Sequence, residues 1–312
     1  MIGTDVARAA SLLQKGKLVG IPTETVYGLA ANALNPEAVA EIYRVKNRPT
    51  FNPLILHCAS IEQAKKYISV WPSLADKLAQ TFWPGSMSVL LPKSSLVPDI
   101  ITAGSDMVVV RVPNHPLTLS LLQSLDFPLA APSANISNTV SPTTALHVES
   151  TIGNEIDYVL DGGRCHIGVE STIVAIQDSS VVLLREGGIT REDISGIGLA
   201  VRRNTNKEIQ SPGQLKKHYA TSKKLLVVNS INEWLSKNRN DNAIALLYEH
   251  KPVDCPFLLL SNNYNLSEIA TNLFYTMREA DKSDVDVILI EHVKLEGIGR
   301  AIADRLNRAA TT

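Results

Sequence analysis

Cysteine is scarce in this chain: the 312 residues include three, and no two of them form a C-x-x-C pair. This scarcity argues against a disulfide framework or a zinc site and favours a reducing compartment, so we expect a cytoplasmic location. Aromatic residues make up 5% of the sequence and the formal net charge is -1, which disfavours nucleic-acid binding as the sole function. No apolar stretch approaches the roughly 18 residues of a membrane span, and the N-terminus lacks the pattern of a secretory signal. We therefore expect no contact with a membrane.

What the sequence does contain is an ordinary globular composition, with 45% hydrophobic and 20% charged residues. Single hydrophobic cores stop growing near ~250 residues, so this length predicts two domains. In residues 1–195, segments typical of strands and helices follow each other without a regular βαβ alternation. The strongest strand signal is at residues 108–112, where one arginine is set among four valines. We predict an α/β fold, with an N-terminal domain in which helices flank a curved mixed sheet.

The composition changes after residue 195. Residues 196–224 contain few apolar residues and seven Lys or Arg against the single acid Glu208, which predicts a basic linker. Strand-like segments return from residue 225, and apolar residues between 266 and 277 recur at the helical spacing i, i+3, i+4, i+7, i+8, i+11. We predict that residues 225–312 form a small Rossmann-like α/β domain.

Two short polar motifs, Lys46-Asn47-Arg48 and Ser133-Ala134-Asn135, follow a Pro22-Thr23-Glu24-Thr25-Val26-Tyr27-Gly28 segment. Two cations at positions i and i+2 can clamp a polyphosphate, and a Ser and an Asn beside small residues can bond a nucleotide without blocking its approach. An arginine within the apolar strand, Arg111, needs an anionic partner or a route to solvent. In combination, these features predict an anion and nucleotide site.

Each motif also has a structural interpretation when it is taken singly. Lys46 and Arg48 are typical of a helix end whose cations complement the helix dipole. The Ser133-Ala134-Asn135 motif after a proline is typical of a turn that bonds its own backbone. His57, at the end of an apolar run, is typical of a partly buried structural histidine.

Taken together, these motifs resemble the YrdC-like family of threonylcarbamoyl-AMP synthases. The resemblance covers roughly residues 5–195. Further matching stretches are Pro49 and residues 52–55, 83–85, 110–113, 131–135, 171–174 and 185–187. Residues 211–214 and the pair His218-Tyr219 are similar to the long form of the family, in which a linker that folds over the active site leads to a second domain.

The resemblance implies a nucleotidyltransferase that converts L-threonine, bicarbonate or CO2, and ATP into threonylcarbamoyl-adenylate and pyrophosphate. This is the first step of the N6-threonylcarbamoyladenosine modification of tRNA. The resemblance also implies Mg²⁺ with the ATP, a tRNA-modifying transferase complex that takes the product, and a weak contact with RNA. An anionic nucleophile must approach a polyanion, so positioned cations and in-line geometry should carry the reaction. We expect direct adenylation without an acyl-enzyme.

The family pattern assigns the site residues to three groups. Lys46 and Arg48 are the catalytic pair, at the phosphates and the reacting carbamate. The positions that contact ATP are Arg48, Asn52, Met107, Ser133, Asn135, Ser141, Arg185 and Tyr219. The positions that hold L-threonine are Thr25, His57, Arg111, Ala131 and Ser171. Among them, Arg111 can pair bidentately with the substrate carboxylate. No side chain is assigned as a metal ligand.

Two other functions are alternatives to this one. An RNA-binding module without catalysis would hold RNA on a basic face and would weaken steeply with salt. A carbamoyl-transfer domain of hydrogenase maturation would bring an acylphosphatase unit and cysteine-paired zinc fingers, which this sequence lacks. Glu24 is left out of the catalytic set, because a carboxylate beside ATP more often orients a turn or repels phosphate. Gly297-Ile298-Gly299 is interpreted as a tight turn and not as a dinucleotide-binding loop.

Overall fold

The structure is a computed structural model that describes residues 1–177, 180–203, 218–239 and 242–310. Its strands are β1 (Ile2–Gly3), β2 (Val19–Ile21), β3 (Gly28–Asn32), β4 (Ile55–His57), β5 (Met87–Pro92), β6 (Met107–Arg111), β7 (Leu129–Ala130), β8 (Tyr158–Leu160), β9 (Thr172–Gln177), β10 (Ser180–Arg185), β11 (Val201–Arg203), β12 (Lys224–Val228), β13 (Ala243–Leu247), β14 (Phe257–Leu259) and β15 (Val287–Glu291). Its helices are α1 (Val6–Gln14), α2 (Pro36–Lys46), α3 (Ile61–Lys66), α4 (Ser73–Phe82), α5 (Asp99–Thr102), α6 (Pro116–Gln123), α7 (Ala145–Ile152), α8 (Arg191–Gly196), α9 (Ile231–Lys237), α10 (Leu266–Lys282) and α11 (Gly299–Ala309). Within these described ranges, no helix combines the length and the apolar character needed to cross a bilayer.

The larger sheet has the strand order β1-β8-β2-β3-β7-β4-β6-β5-β9-β10-β11. Strand β6 runs parallel to β4 and antiparallel to β5, so the sheet is mixed, and this prediction is confirmed. The register of β4 and β6 pairs His57 with Arg111. Because both residues end parallel neighbouring strands, they lie side by side at one edge of the sheet.

Strand β6 separates two apolar layers. Val108 and Val110 belong to the main core, whereas Val109 packs on the opposite face with Ile55. Successive side chains of a strand point to opposite faces, so Arg111 shares the face of Val109. The sheet face that carries Ile55 and Val109 therefore also carries the arginine.

Helix α2 sets the position of the first basic motif. Pro36 occupies its first turn, and the Asn35 side chain caps it by accepting two backbone N–H bonds. The helix ends at Lys46, and Asn47 adopts the left-handed conformation with φ 49°. Lys46 therefore belongs to the last helical turn, and Arg48 lies in the segment that follows the left-handed residue. Pro49 disfavours helical geometry in the residue before it, which agrees with a helix that ends ahead of Arg48.

The smaller sheet has the order β12-β15-β13-β14, and its three strand pairs are all parallel. The predicted Rossmann-like arrangement is thus confirmed. A hydrophobic cluster joins this sheet and helix α10 to the first part of the chain, because Val26, Val140 and Val169 pack in the same cluster as Phe274 and Tyr219. The smaller sheet with α10 therefore shares buried apolar surface with loop residues of the first part of the chain.

The predicted linker divides into described and undescribed parts. Residues 201–203 form β11, which pairs in parallel with β10 and extends the larger sheet. Residues 204–217 lie outside the described residues, and with them the Ser211-Pro212-Gly213 segment. From His218 the chain is described again, and the backbone N–H of His218 donates to the carbonyl of Arg308 in α11 at 3.4 Å.

Candidate active site

A cleft that is open to solvent, with about 600 Å³ of empty space, lies on the face of the larger sheet that carries Ile55. Three arginines line it, which makes it suited to anions. Nine of the residues assigned from the sequence line the cleft: Thr25, Arg48, His57, Arg111, Ala131, Ser133, Ser171, Arg185 and Tyr219. Five others are not among its lining residues: Lys46, Asn52, Met107, Asn135 and Ser141.

Arg111 is held on three sides. Its Nε donates to the carbonyl of Gly85 and its Nη1 to Thr25 Oγ1, each at 3.1 Å. Its Nη2 lies 2.6 Å from Glu24 Oε1, and the side chains of this ion pair are 4% and 1% exposed. The two atoms are close but not aligned as a hydrogen bond, and neither oxygen of Glu24 accepts a hydrogen bond from the described residues.

Glu24 thus enters the site as the counter-ion of Arg111, although sequence reasoning left it outside the catalytic set. The available signal was an acid between two threonines of the 22–28 segment. Thr23 and Thr25, which flank it, both line the cleft, and their hydroxyl oxygens are 2.8 Å apart. The segment therefore presents two hydroxyls to the cleft and a carboxylate to the arginine.

His57 is a neutral neighbour of Arg111. Burial, and after it the charge of Arg111, lower the pKa of His57 to about 3. Its Nδ1 donates to the carbonyl of Ile55 at 3.3 Å. The ring therefore offers Nε2 as a neutral acceptor at physiological pH.

Lys46 is buried against the loop of the second motif. Its Nζ donates to the backbone carbonyls of Ser133 and Asn135, and the residue is 1% exposed. Burial, followed by the charge of Arg48, lowers the pKa of Lys46 well below its usual range. The Asn135 amide donates to the carbonyls of Ile136 and Thr139 at 2.9 Å, so this side chain supports the loop. In this arrangement Ser133 is the member of its motif that lines the cleft.

Two further arginines bring positive charge to the cleft. Arg48 donates from Nε and Nη2 to the carbonyls of Asn52 and Pro53, at 3.1 and 2.8 Å. Arg185 donates from Nε to the carbonyl of Ser171 and from Nη2 to its hydroxyl, both at 3.0 Å. Burial lowers the pKa of each arginine to about 10, so both remain cations at neutral pH.

Two of the assigned residues, Asn52 and Met107, support the site from outside the cleft lining. The backbone of Asn52 anchors Arg48, while its buried Oδ1 has no hydrogen-bond partner among the described residues. Met107 begins β6, at the end of the strand opposite to Arg111, and packs on the apolar layer of Ile55 and Val109. The geometry therefore leaves an unpaired amide oxygen at Asn52 and an apolar contact at Met107.

A second carboxylate, Glu170, lines the cleft and was not identified from the sequence. Its Oε1 accepts from Ser141 Oγ at 2.7 Å, and its Oε2 accepts from Arg305 Nε at 3.0 Å. Burial by itself would raise the pKa of Glu170, but Arg305 and Arg185 outweigh it and bring the value to about 2. Arg305 is a member of the amphipathic helix α11, and nothing in its local sequence signals a role at a distant cleft.

Tyr219 and His218 complete the lining where the chain is described again after residue 217. The Tyr219 ring stacks on Phe274 at 5.2 Å between centroids, and His218 packs edge-on against Tyr219 at 4.0 Å. Burial lowers the pKa of His218 to about 3, so this ring is neutral. Two aromatic rings thus lie beside the three arginines.

Comparison with known proteins agrees with this combination of fold and cleft. A family profile described as "Telomere recombination" matches residues 11–187, and the chain belongs to this Sua5/YciO/YrdC family. A second profile, described as "Threonylcarbamoyl-AMP synthase, C-terminal domain", matches residues 189–311. The chain therefore has both domains of the long form.

Relatives resemble the chain over nearly its whole length. A threonylcarbamoyl-AMP synthase of Pyrococcus abyssi is 40% identical, over 97% of this chain and 93% of the relative. One of Bacillus subtilis is 37% identical, over 98% and 92%. The crystal structure of P. abyssi Sua5 complexed with L-threonine superposes with a TM-score of 0.90 at 38% identity, covering 98% of this chain and 94% of that one.

Proposed function

We propose that this protein is a threonylcarbamoyl-AMP synthase, which converts L-threonine, bicarbonate or CO2, and ATP into threonylcarbamoyl-adenylate and pyrophosphate. The observation that carries the proposal is the cleft itself, in which Arg48, Arg111 and Arg185 surround one cavity lined with hydroxyl groups. Support comes from the L-threonine complex of the similar P. abyssi protein. The product would serve as the donor for N6-threonylcarbamoyladenosine in tRNA.

The Arg111 end of the cleft fits L-threonine. We assign the substrate carboxylate to Arg111, because guanidinium and carboxylate match as a bidentate pair. Thr25 and Ser171 offer hydroxyls to the remaining polar groups, and the neutral ring of His57 can accept a hydrogen bond. Ala131, with its small side chain, leaves room for the substrate beside the strand end.

The Arg48 and Arg185 end fits the nucleotide. Arg48, Ser133 and Arg185 line the cleft there, and we assign them to the phosphates and ribose of ATP together with Asn52, Met107, Ser141 and Tyr219 in supporting positions. Lys46 would act through the loop of Ser133 and Asn135, whose carbonyls it holds. Arg48 is then the cation of the first motif that meets the phosphates directly.

The residues also fit a Mg²⁺ that is carried by ATP. Among the described residues, no group of three or more His, Cys, Asp or Glu could hold a metal ion. Glu170, the carboxylate that the described residues contribute to the cleft lining, is already paired with Arg305 and Ser141, so no side chain is assigned to the ion. Mg²⁺ commonly binds substrate phosphates and keeps several waters, and such an ion would neutralise part of the phosphate charge.

The chemistry needs positioning more than covalent participation. The threonine nitrogen, once deprotonated, attacks the carbon of CO2 to give a carbamate, and a carbamate oxygen then attacks the α-phosphorus while pyrophosphate leaves. Both reactants are anions, so the fixed guanidinium groups lower the repulsion between them. Among the residues that the structure describes, Ser171 is bonded to Ser88 and Arg185 and not to a histidine, which supports direct adenylation without an acyl-enzyme.

We further propose a nucleotidyltransferase that works in the cytoplasm and passes its product to a tRNA-modifying transferase complex. The three cysteines are free thiols, as a reducing compartment would leave them. The domain division at residues 195 and 224, with a linker that covers the cleft, is proposed on the same family pattern. His218 and Tyr219, which follow the undescribed part of that linker, line the cleft in support of it. A weak RNA contact is part of the same proposal.

Mass spectrometry of the product provides the test. Purified protein with ATP, bicarbonate and L-threonine should form threonylcarbamoyl-adenylate, and omission of any one substrate should stop it. Arg48→Met should lower kcat/KM by roughly 100-fold or more, since an electrostatic contact at the reacting phosphates is lost. Arg44→Met is the matched control, because this arginine lies one helical turn earlier with a side chain that is 58% exposed.

Two results would contradict the proposal. One is full turnover of the Arg48 variant. The other is salt-sensitive binding of tRNA without any threonine-dependent release of pyrophosphate, which would indicate the RNA-binding module instead.

A further inference from the structure

One buried cation of the second domain, Arg305, contacts the cleft lining of the first domain. Arg305 of α11 is 0% exposed, and its Nε donates to Glu170 Oε2 at 3.0 Å. Its Nη1 donates to Asp304 at 3.0 Å, and its guanidinium carbon lies 5.6 Å from the centre of the Tyr219 ring. Arg305 therefore touches two residues that line the cleft while belonging to the other domain.

Glu170 presents a difficulty for a cleft that takes a triphosphate. It is 7% exposed, it lines the cleft, and it stays ionised at neutral pH. An uncompensated carboxylate at this place would repel ATP, and a buried charge without a partner is costly in itself. Arg305 supplies the compensating charge, and Ser141 supplies the second hydrogen bond to the carboxylate.

We propose that Arg305 is a positioning residue for the nucleotide: it neutralises Glu170 and holds its carboxylate away from the phosphates, so that the C-terminal domain sets the ATP affinity of the N-terminal cleft. This inference rests on the proposed function in taking ATP as the anion that is bound. It assigns a role to the second domain that needs no ligand in that domain. The guanidinium of Arg305 itself also lies beside Tyr219, a second residue of the cleft lining.

The charges of Glu170 and Arg305 predict the direction in which the KM for ATP should change in each of three variants. Arg305→Met leaves Glu170 unpaired and should raise the KM for ATP by roughly tenfold or more, because like charges then face each other in a buried site. Glu170→Gln removes the negative charge from the cleft lining while Arg305 keeps its bond to Asp304, and it should lower the KM for ATP. The double variant restores neutrality and should return the KM for ATP to near the wild-type value. The KM for L-threonine should stay within about twofold of wild type in all three, because threonine is assigned to the Arg111 end of the cleft.

The control for helix α11 is Arg300→Met. Arg300 lies on the same helix with a side chain that is 17% exposed, and it pairs with Glu192 and, at 3.9 Å, with Glu186. Neither partner lines the cleft, so the loss of Arg300 should not move the KM for ATP. A purely structural Arg305 would give a different pattern: the three variants would lose activity towards both substrates, and Glu170→Gln would not rescue Arg305→Met. That result would overturn the inference.

Calorimetric titration of ATP into the same variants separates this inference from the proposed function. If wild type forms no threonylcarbamoyl-adenylate, the proposed function fails, and the order of ATP affinities still tests the role of Arg305. If Arg305→Met does not fold, Glu170→Gln and Arg305→Lys carry the test. Tighter ATP binding by Glu170→Gln and near-normal binding by Arg305→Lys support the inference, whereas weaker binding by Glu170→Gln contradicts it.

Discussion

The ion pair between Arg111 and Glu24 leads to a prediction about stability. A variant that loses the charge of Glu24 should be destabilised, and L-threonine should restore part of the lost stability. Glu24→Gln removes the charge of a carboxylate that is 1% exposed and lies 2.6 Å from the guanidinium. Removing one partner of a buried ion pair costs about 3–5 kcal/mol. Arg111 keeps its bonds to Gly85 and Thr25, and glutamine retains an acceptor oxygen, so we expect the lower end, about 3 kcal/mol. At about 2–4 °C per kcal/mol, this corresponds to a fall in Tm of roughly 6–12 °C.

L-Threonine should reverse part of that loss. Its carboxylate is proposed to bind Arg111 and would supply the missing counter-ion in the variant. A ligand that binds the folded state stabilises it in proportion to the logarithm of its concentration over Kd. The rise in Tm that saturating L-threonine causes should therefore be larger in Glu24→Gln than in wild type. Threoninamide, which lacks the carboxylate, is the matched ligand control and should not produce the larger rise.

Differential scanning calorimetry with and without the ligands measures both effects. The double variant Glu24→Leu with Arg111→Leu completes the cycle, because replacing both charges by apolar groups is often neutral for stability. It should keep a Tm near that of wild type and show no rise with L-threonine. The reasoning would be refuted by a Glu24→Gln protein as stable as wild type that responds to L-threonine no more than wild type does.

Three further predictions concern the loop, the acid response and the domain contact. Lys46→Met should leave two backbone carbonyls without donors and lower the free energy of unfolding in urea by about 2 kcal/mol. It should also displace the loop of Ser133 and so raise the KM for ATP. An unchanged KM would argue against a role of Lys46 through this loop. Burial lowers the pKa of His147 to about 3 in the folded protein. His147 therefore takes up a proton more readily in the unfolded state, and the free energy of unfolding falls as the pH drops below about 6.5. His147→Gln should reduce the loss between pH 7 and pH 5 by roughly 2 kcal/mol, and an unchanged loss would exclude this histidine as its source. Gly168→Ala should lower the free energy of unfolding more than Gly104→Ala does. Both glycines have positive φ, but a Cβ at Gly168 would lie 2.3 Å from a carbonyl oxygen of α10, while Gly104 has open space. Equal losses in urea unfolding would mean that backbone strain, and not the contact with α10, sets the effect.

Local patterns were sufficient to predict the architecture. The mixed larger sheet, the end of α2 before Pro49 and the parallel second sheet with its long helix α10 all follow from periodicity and turn residues, which act over a few neighbouring positions. Arg111 could be selected on its own evidence, because an arginine among four valines requires an anion or an exit. The structure supplies Glu24 as the anion, next to the cleft.

The site was harder to predict where a contact joins distant segments. The sequence shows two cations at positions 46 and 48 but not where their side chains lie. Asn47 adopts the left-handed conformation between them, and Arg48 lines the cleft while Lys46 is bonded to the loop of Ser133. Asn135 resembles a nucleotide contact in sequence, and its amide is nevertheless committed to backbone carbonyls of its own turn. The direction of a side chain depends on the partners that folding brings, and these are not visible in a short motif.

By itself, the sequence determined the α/β class and the two sheets, because helix caps, strand alternation and charged residues in apolar runs are local properties. The nine assigned residues that line the cleft were mostly given by the resemblance to the family. Only the tertiary structure decided which charges compensate one another. Glu170 and Arg305 are far apart in the chain, and their pairing depends on how helix α11 of the second domain packs beside the cleft of the first. Electrostatic balance in a buried site is a sum over neighbours in space, so it becomes defined only when the two domains are docked.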